Sequence, residues 1–433
     1  MEYLLDSDCS SSDSSSDEEE ELNAIIAVVK RRRLMCAAAL AICLEEEENH
    51  SRESSPRTIP TRKNWLEHVA QVGRRVFKKM YRLDLENFNR LLGYIRDEIT
   101  TENVEMARRS SGSEVCAEVR LAMTLRYLAG GSMWDIRLIF DVSHDEFYRS
   151  VWRVVDAINN YEGFKVVFPI DDVEKLSEIE SVFRSKSSHE MITGCVGAID
   201  GCLLWQKNPG IAVHNPNRYY CARKEKHALL LMAIVDADRR IIFYDISCTP
   251  STHDSLAWDS TPLAQRFAAG DLCERFFIFG DSAFVCTRSM ITPGNDTNFN
   301  YFLSELRVNS ECAFGEMIRR WGILWRPLEM EFSRRADVIA CCIRLHNFCV
   351  DRRLSIEAEL MADEDEIEIQ PGRRVRAPRV NRDGQIVENV QTNCTCITCI
   401  GSGRDRAVPD KSRRKELEAV VRNSGYCRPL PRR

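Results

Sequence analysis

Apolar residues recur at spacings of mostly three and four across residues 64–107, at Phe77, Met80, Tyr81, Leu83, Leu85, Phe88, Leu91, Leu92 and Ile95. That is the period of helices with one buried face. A second helical block is expected from about Glu114 to Asn159. Within it Gly130 and Gly131 end one helix, and Ser132 is placed to cap the next. Residues 133–140 predict a short helix, 141–143 a tight turn and 144–158 a longer helix, which is the outline of a helix-turn-helix. Arg149 and Arg153 lie four apart on the second helix and share a face, which makes them candidates for DNA contact. Any small helical bundle produces the same turn.

The period then changes. Residues 194–200 are a short apolar run closed by Asp200, and 227–236 are almost continuously apolar, as a strand buried on both faces should be. Residues 240–248 and 275–281 predict two further strands, the latter closed by Asp281. A helix is expected over 255–269, another over 304–320 and a third near 334–352. Together these make an α/β layer domain.

Outside these blocks the patterning is lost and charge takes over. Residues 1–55 hold 14 acidic and 5 basic side chains, and residues 371–433 hold 15 basic and 6 acidic. An acidic head and a basic tail point to nucleic acid, or to an intramolecular decoy for it. The Ser-rich acidic residues 1–21 predict disorder, 22–48 an Ala-rich helix and 49–63 a linker. The run Lys30, Arg31, Arg32, Arg33 is read either as a nuclear-import or phosphate-contacting segment or as a solvated basic turn. Cys394, Cys396, Cys399 and Cys427 offer four thiols, either a zinc site or part of a reduced, unstructured tail. The 18 cysteines are scattered, so no disulfide framework is expected. The longest early apolar stretch, 34–44, is about half of the roughly 20 residues a membrane span needs, so no membrane partner is expected.

The chemistry-bearing signal is three carboxylates: Asp200 and Asp281 at strand ends, and Glu311 on the following helix. If the two strands are neighbours, both aspartates emerge at one edge of the sheet and the helix can present Glu311 to them. Like charges within a few ångströms push one another toward the neutral form, and a divalent cation relieves this. Mg²⁺ takes hard oxygen ligands, and two such ions can activate a water or 3′-hydroxyl and stabilise the leaving oxygen of a phosphodiester. Taken singly, each aspartate is an ordinary turn or cap residue. The order Asp, Asp, Glu on strand, strand, helix is what carries information.

Around these acids the wording becomes specific. Gly197, Ile199, Asp200 and Gly201 frame the first acid. Asn215 and Pro216 precede Tyr219 and Tyr220; Lys226 and His227 open the second long strand; Ser251, His253, Asp254 and Ser255 follow. Gly280, Asp281, Ser282 and Phe284 frame the second acid, with Thr292 and Pro293 behind it. Glu311, Phe314, Gly315, Arg320 and Trp321 frame the third, and Leu345, His346, Asn347 and Phe348 close the block. Upstream, Leu125, Leu128, Gly131, Val142 and Ser143 fit the helix-turn-helix region. Residues 64–352 thus resemble PIF/Harbinger-type transposases of the DDE superfamily, the group that includes the Harbinger-derived nuclease. The resemblance implies an RNase H-like catalytic domain over 161–352, preceded by an all-α, helix-turn-helix-like region over 64–160, with a head over 1–63 and a tail over 353–433. It implies metal-dependent cleavage and transfer of DNA strands, with Asp200, Asp281 and Glu311 as catalytic metal ligands for Mg²⁺, or Mn²⁺ as a substitute.

By the same resemblance Asp254 is an accessory acid or a helix N-cap, and His253 contacts phosphate or orients its loop. Arg307, Arg319 and Arg320 flank the third acid and join Arg149 and Arg153 as candidates for DNA contact. Expected partners are DNA, a separate Myb-like DNA-binding protein and a second copy of the chain, in the nucleus. The chain departs from the family at Cys202 to Trp205, where a Thr-His pair is frequent, and at Phe284, where Tyr is common. Nucleotide-loop, dinucleotide, zincin and esterase motifs are absent from the sequence. Two readings follow: a working nuclease or transposase, or a domesticated, non-catalytic DNA-binding or interaction protein that keeps the fold.

Overall fold

The structure, a computed structural model, describes residues 63–100, 114–353 and 409–426, together with Lys30, Arg31 and Met35. Residues Met1–Pro60 separate from Thr61–Arg433 as a unit of their own. Within that first unit Lys30, Arg31 and Met35 are helical and exposed. The acidic head, the rest of the Ala-rich helix, nearly all of the linker, the Pro/Arg-rich stretch and Cys394, Cys396, Cys399 and Cys427 lie outside the described residues.

Among the described residues the second unit begins with five helices: α1 (Trp65–Tyr81), α2 (Leu85–Ile99), α3 (Ala117–Leu128), α4 (Met133–Phe140) and α5 (His144–Asn160). Asn64, Asp84 and Ser143 cap α1, α2 and α5 with their side-chain oxygens. Ser132 precedes α4 as expected but makes no side-chain cap bond. Asp141, in the left-handed region at φ 52°, ends α4 and turns the chain into α5.

A six-stranded mixed sheet follows: β1 (Cys195–Trp205), β2 (Tyr220–Cys221), β3 (Lys226–Val235), β4 (Ile241–Asp245), β5 (Phe277–Phe279) and β6 (Met290–Ile291). β1 pairs with β3 antiparallel, and β4 runs antiparallel along the other side of β3. β5 is parallel to β1, and β6 is parallel to β5. Along β3, Leu229, Leu231, Ala233 and Val235 enter one core and Leu230, Met232 and Ile234 another. Burial on both faces is why the strand reads as an unbroken apolar run.

Helices cover both faces. The first core joins β3 and Leu204 to α1–α5, to the C-terminal half of α9 (Thr297–Arg320) and to α10 (Phe332–Asp351). On the other face stand α7 (Asp254–Asp259) and α8 (Pro262–Ala268). They replace the single helix expected over 255–269, because Pro262 opens a new helix capped by Thr261. A third core gathers Phe277, Phe279 and Ile291 with Phe183 of α6 (Val173–Lys186) and Phe299, Phe302, Leu303 and Leu306 of α9. Leu417 and Val421 of α11 (Ser412–Asn423) join it. Neither α6 nor α11 was expected from the sequence. The tail from 353 onward was expected to be disordered, whereas 412–423 form a helix whose two buried residues dock on this cluster.

The residues that close the block are structural. Asn347 accepts the Ile241 N–H through Oδ1 at 2.9 Å and donates from Nδ2 to the Ile241 carbonyl at 2.8 Å, mimicking a strand partner for β4. His346 donates from Nε2 to the Arg239 carbonyl at 2.8 Å. Burial, aided by the Arg320 charge, pulls the His346 pKa down from 6.5 to about 4. Between those values the unfolded chain takes up a proton that the folded protein refuses, so stability is lost as pH falls from about 6.5 towards 4. His346→Gln is therefore expected to lose less unfolding free energy than wild type between pH 7 and pH 5, by about 2 kcal/mol in urea titrations. Equal losses in the two proteins would mean that His346 does not report acid sensitivity.

Candidate active site

Asp200 was expected at the end of its strand but lies in the middle of it. β1 continues for five residues beyond, with Leu203 opposite Leu230 and Trp205 opposite Ala228. The parallel neighbour is the strand that stops: β5 ends at Phe279, whose register partner on β1 is Ala198. Two residues further along each strand come Asp200 and Asp281, so the two acids leave the sheet at one level, where β1 loses its β5 partner. Alternation along β1 puts Asp200 on the same face as Leu204, the face on which α9 packs.

On α9 the buried stripe includes Leu303, Leu306, Ser310, Ala313, Phe314 and Met317. Arg307 and Glu311, four residues apart, ride at its edge and pair at 2.9 Å. Burial is the main cause that pushes the Asp200 pKa up to about 7, and the charges of Asp281 and Glu311 push it further the same way. The Gly201 N–H, which donates to Asp200 Oδ1 at 2.8 Å, and the Arg307 charge oppose that rise. Asp281 is held by its own turn, its Oδ1 accepting the Ala283 N–H at 2.8 Å. The three acids singled out in the sequence thus share one electrostatic neighbourhood.

Two glycines make room there. A Cβ on Gly201 would stand 3.2 Å from Asp254 Oδ1, and one on Gly280 would strike the Phe284 ring at 2.8 Å. Asp254 is raised too, by burial first and then by Asp281. It does not cap its helix: the cap of α7 is His253, whose Nδ1 accepts the Ser255 N–H at 3.4 Å. Asp254 is therefore a fourth carboxylate at this site. Arg223, which the sequence reading passed over, lowers the Asp254 pKa by its charge and so reaches the same neighbourhood. The signal for it was the basic cluster Arg223, Lys224 and Lys226.

The other candidates scatter. Arg149 is exposed and pairs with Glu146 at 3.1 Å, and Arg153 donates to the Thr100 carbonyl at 3.3 Å. The first turn of α5 carries Asp145 and Glu146, the wrong sign for a phosphate-reading end. The preceding α4 exposes Trp134 and Leu138. Arg319 is exposed, but Arg320 is buried and its charge acts on His346 and Cys349. Arg320 therefore does not present itself to DNA as expected; the helical turn that exposes Arg319 points its neighbour inward. Each described cysteine is a free thiol. Among the described residues, no helix is long and apolar enough to cross a membrane.

The donors suit a divalent cation in kind, being hard carboxylate oxygens, of which Asp200 is driven towards its neutral form by burial and by the neighbouring acids. Among the described residues no three His, Cys, Asp or Glu side chains converge closely enough to hold an ion as they stand. With that geometry in place, residues 199–347 match the family model described as DDE superfamily endonuclease. This stretch is similar to DDE superfamily endonuclease domains. It contains Asp200, Asp254, Asp281 and Glu311, and it ends at the strand-mimicking Asn347. The Arabidopsis thaliana protein named antagonist of like heterochromatin protein 1 is 20% identical over 305 residues, spanning 64% of this chain and 73% of that protein. No solved structure matches the chain significantly.

Proposed function

We propose that the DDE domain cuts DNA as a metal-dependent endonuclease of the Harbinger transposase type, on an RNase H-like fold. The observation that carries this reading is the Asp200 carboxyl, raised by burial and by Asp281 and Glu311 at a place where two parallel strands part. The strand order supports the fold reading, with three antiparallel strands, β4, β3 and β1, extended by parallel β5 and β6. Divalent cations, Mg²⁺ or Mn²⁺, would supply activation of the attacking oxygen and neutralise charge on the leaving one.

The chain's own residues do the rest. Asp200 and Asp281 would hold such a cation, one fixed in a strand and the other in a turn. Glu311, now paired with Arg307, would be the third residue to hold a cation, and the Arg307 guanidinium would be placed to meet a phosphate oxygen. Asp254, beside Gly201, is placed to orient water or a further ligand. Water attacks phosphorus in line, and the freed 3′-hydroxyl can attack in the same way in a transfer step, with no covalent protein intermediate. The work is nuclear in this reading, with DNA as substrate.

A second reading, a domesticated non-catalytic protein, is favoured by the Arg307–Glu311 pair and by the lack of a converged acid triad among the described residues. Nicking of supercoiled plasmid in Mn²⁺ separates the two. Wild type is expected to nick, and Asp200→Asn to bind DNA without nicking. Equal nicking by both would remove Asp200 from the site. DNA binding without nicking by wild type would favour the second reading.

A further inference from the structure

We infer that residues 206–226, which join β1 to β3, are a DNA-backbone clamp serving the carboxylate site. This rests on the nuclease reading for the identity of the ligand, and its physical basis is separate from the acids. The arm carries five basic residues, Lys207, Arg218, Arg223, Lys224 and Lys226, against one acid, Glu225. All five basic side chains are exposed. Some basic side chains elsewhere are matched by acids, Arg149 by Glu146 and Arg266 by Asp171. None of the five sits in a close ion pair among the described residues. Only Lys226 has a close aromatic neighbour, its Nζ lying 5.4 Å from the Trp205 ring centroid. An unmatched cluster of this kind suits a polyanion, whose bound counterions are released as phosphates are neutralised.

The arm is built to hold a position. Its far side turns back through β2, with Tyr220 opposite His227 and Cys221 opposite Lys226. Its base is pinned by Arg335, 4% exposed, which donates from Nη1 to Gln206 Oε1 at 2.7 Å and to the Lys207 carbonyl at 2.9 Å. Gln206 donates in turn from Nε2 to the Ala228 carbonyl at 2.9 Å, and the Lys207 N–H donates to the Leu328 carbonyl at 3.0 Å. The turn between β2 and β3 carries Arg223, whose charge acts on Asp254, the neighbour of Gly201 next to Asp200. A DNA strand lying across the carboxylates would therefore meet the arm with its neighbouring phosphates. Contacts of this type position the duplex and do not read its sequence.

The test is binding of the full-length chain to a fluorescent duplex of random sequence, without divalent cation, over a series of salt concentrations. Three proteins are compared: wild type, Arg223→Glu/Lys224→Glu, and a control with Lys165→Glu/Lys175→Glu elsewhere on the surface. All four positions are exposed, and unchanged melting establishes that the variants fold. The arm variant is expected to bind more than about tenfold more weakly, and its plot of log affinity against log salt to be shallower by about 2, or two phosphates lost. The control is expected to keep most of the affinity. Equal weakening of both variants would overturn the clamp, as would poly-L-glutamate binding to the arm where the duplex does not. The two readings fail separately. Loss of binding in the arm variant alongside nicking that survives Asp200→Asn sinks the nuclease site and keeps the clamp. Intact binding by the arm variant with nicking lost in Asp200→Asn does the reverse.

Discussion

Asp200→Asn is expected to slow Mn²⁺-dependent nicking at least about a thousandfold, about 4 kcal/mol of transition-state stabilisation, and yet to melt higher than wild type when no divalent cation is present. The two outcomes have one cause. The Asp200 carboxyl has a pKa near 7 because burial, and then Asp281 and Glu311, disfavour its charge. The folded protein therefore holds the proton more tightly than the unfolded chain, whose carboxyl titrates near 3.8. Below the lower value both states are protonated and the residue costs nothing. As pH rises from 3.8 to 7 the folded state is progressively penalised, and above 7 the penalty is complete. Asparagine keeps an oxygen for the Gly201 N–H and removes the charge. The gain at pH 8 is expected to be about 1–2 kcal/mol and to vanish near pH 4. Added Mn²⁺ should raise the melting temperature of wild type and leave that of the variant nearly unchanged, since a ligand stabilises only the fold that binds it. Calorimetry in EDTA and in Mn²⁺, at both pH values, checks this. If the variant melts lower in EDTA, and Mn²⁺ shifts both proteins alike, Asp200 is an ordinary hydrogen-bonded carboxylate.

What could be read from the sequence was whatever a single segment decides. β3 was legible because both its faces are buried, and α5 because its apolar residues keep a helical period behind a Ser143 cap. α6 was passed over although Leu176, Ile179 and Phe183 keep a helical spacing, because only three of its residues are buried and much of its surface is charged and exposed. α11 offers only Leu417 and Val421 in a basic stretch, and its helix is stabilised by a cluster more than a hundred residues away in sequence. The end of β1 was misplaced at Asp200 because an acid followed by glycine resembles a strand end. What lets an acid sit inside that strand is the end of β5, a fact about a different segment. The same holds for the site. The level pairing of Asp200 with Asp281 follows from non-local register, and the inward turn of Arg320 from packing that no run of basic residues announces.

Trp321 binds these parts into one cooperative body, and its removal is expected to show that. It follows the last turn of α9, ten residues after Glu311, and is fully buried in the core that also holds Leu121, Leu125 and Phe147 of the N-terminal helices. Beside it Gly322 lies against the α3 end so closely that a Cβ would stand 2.7 Å from the Ala129 carbonyl oxygen. The helical region and the α/β region therefore share an interior instead of meeting at a soft boundary. Trp321→Ala would leave a large cavity there, costing about 3–5 kcal/mol and lowering the melting temperature by roughly 10 °C. The indole Nε1 has no hydrogen-bond partner among the described residues, so Trp321→Phe deletes an unsatisfied N–H along with part of the ring. It is expected to cost less than about half as much as the alanine. If the two regions are one unit, Trp321→Ala shifts a single unfolding transition, seen alike by the helical far-ultraviolet signal and by protection of the β3 amides. A split into two transitions, with the β3 amides unaffected, would show that the helical region is an independent domain. Trp321 would then be part of a docking contact, and Glu311 would be held by α9 alone.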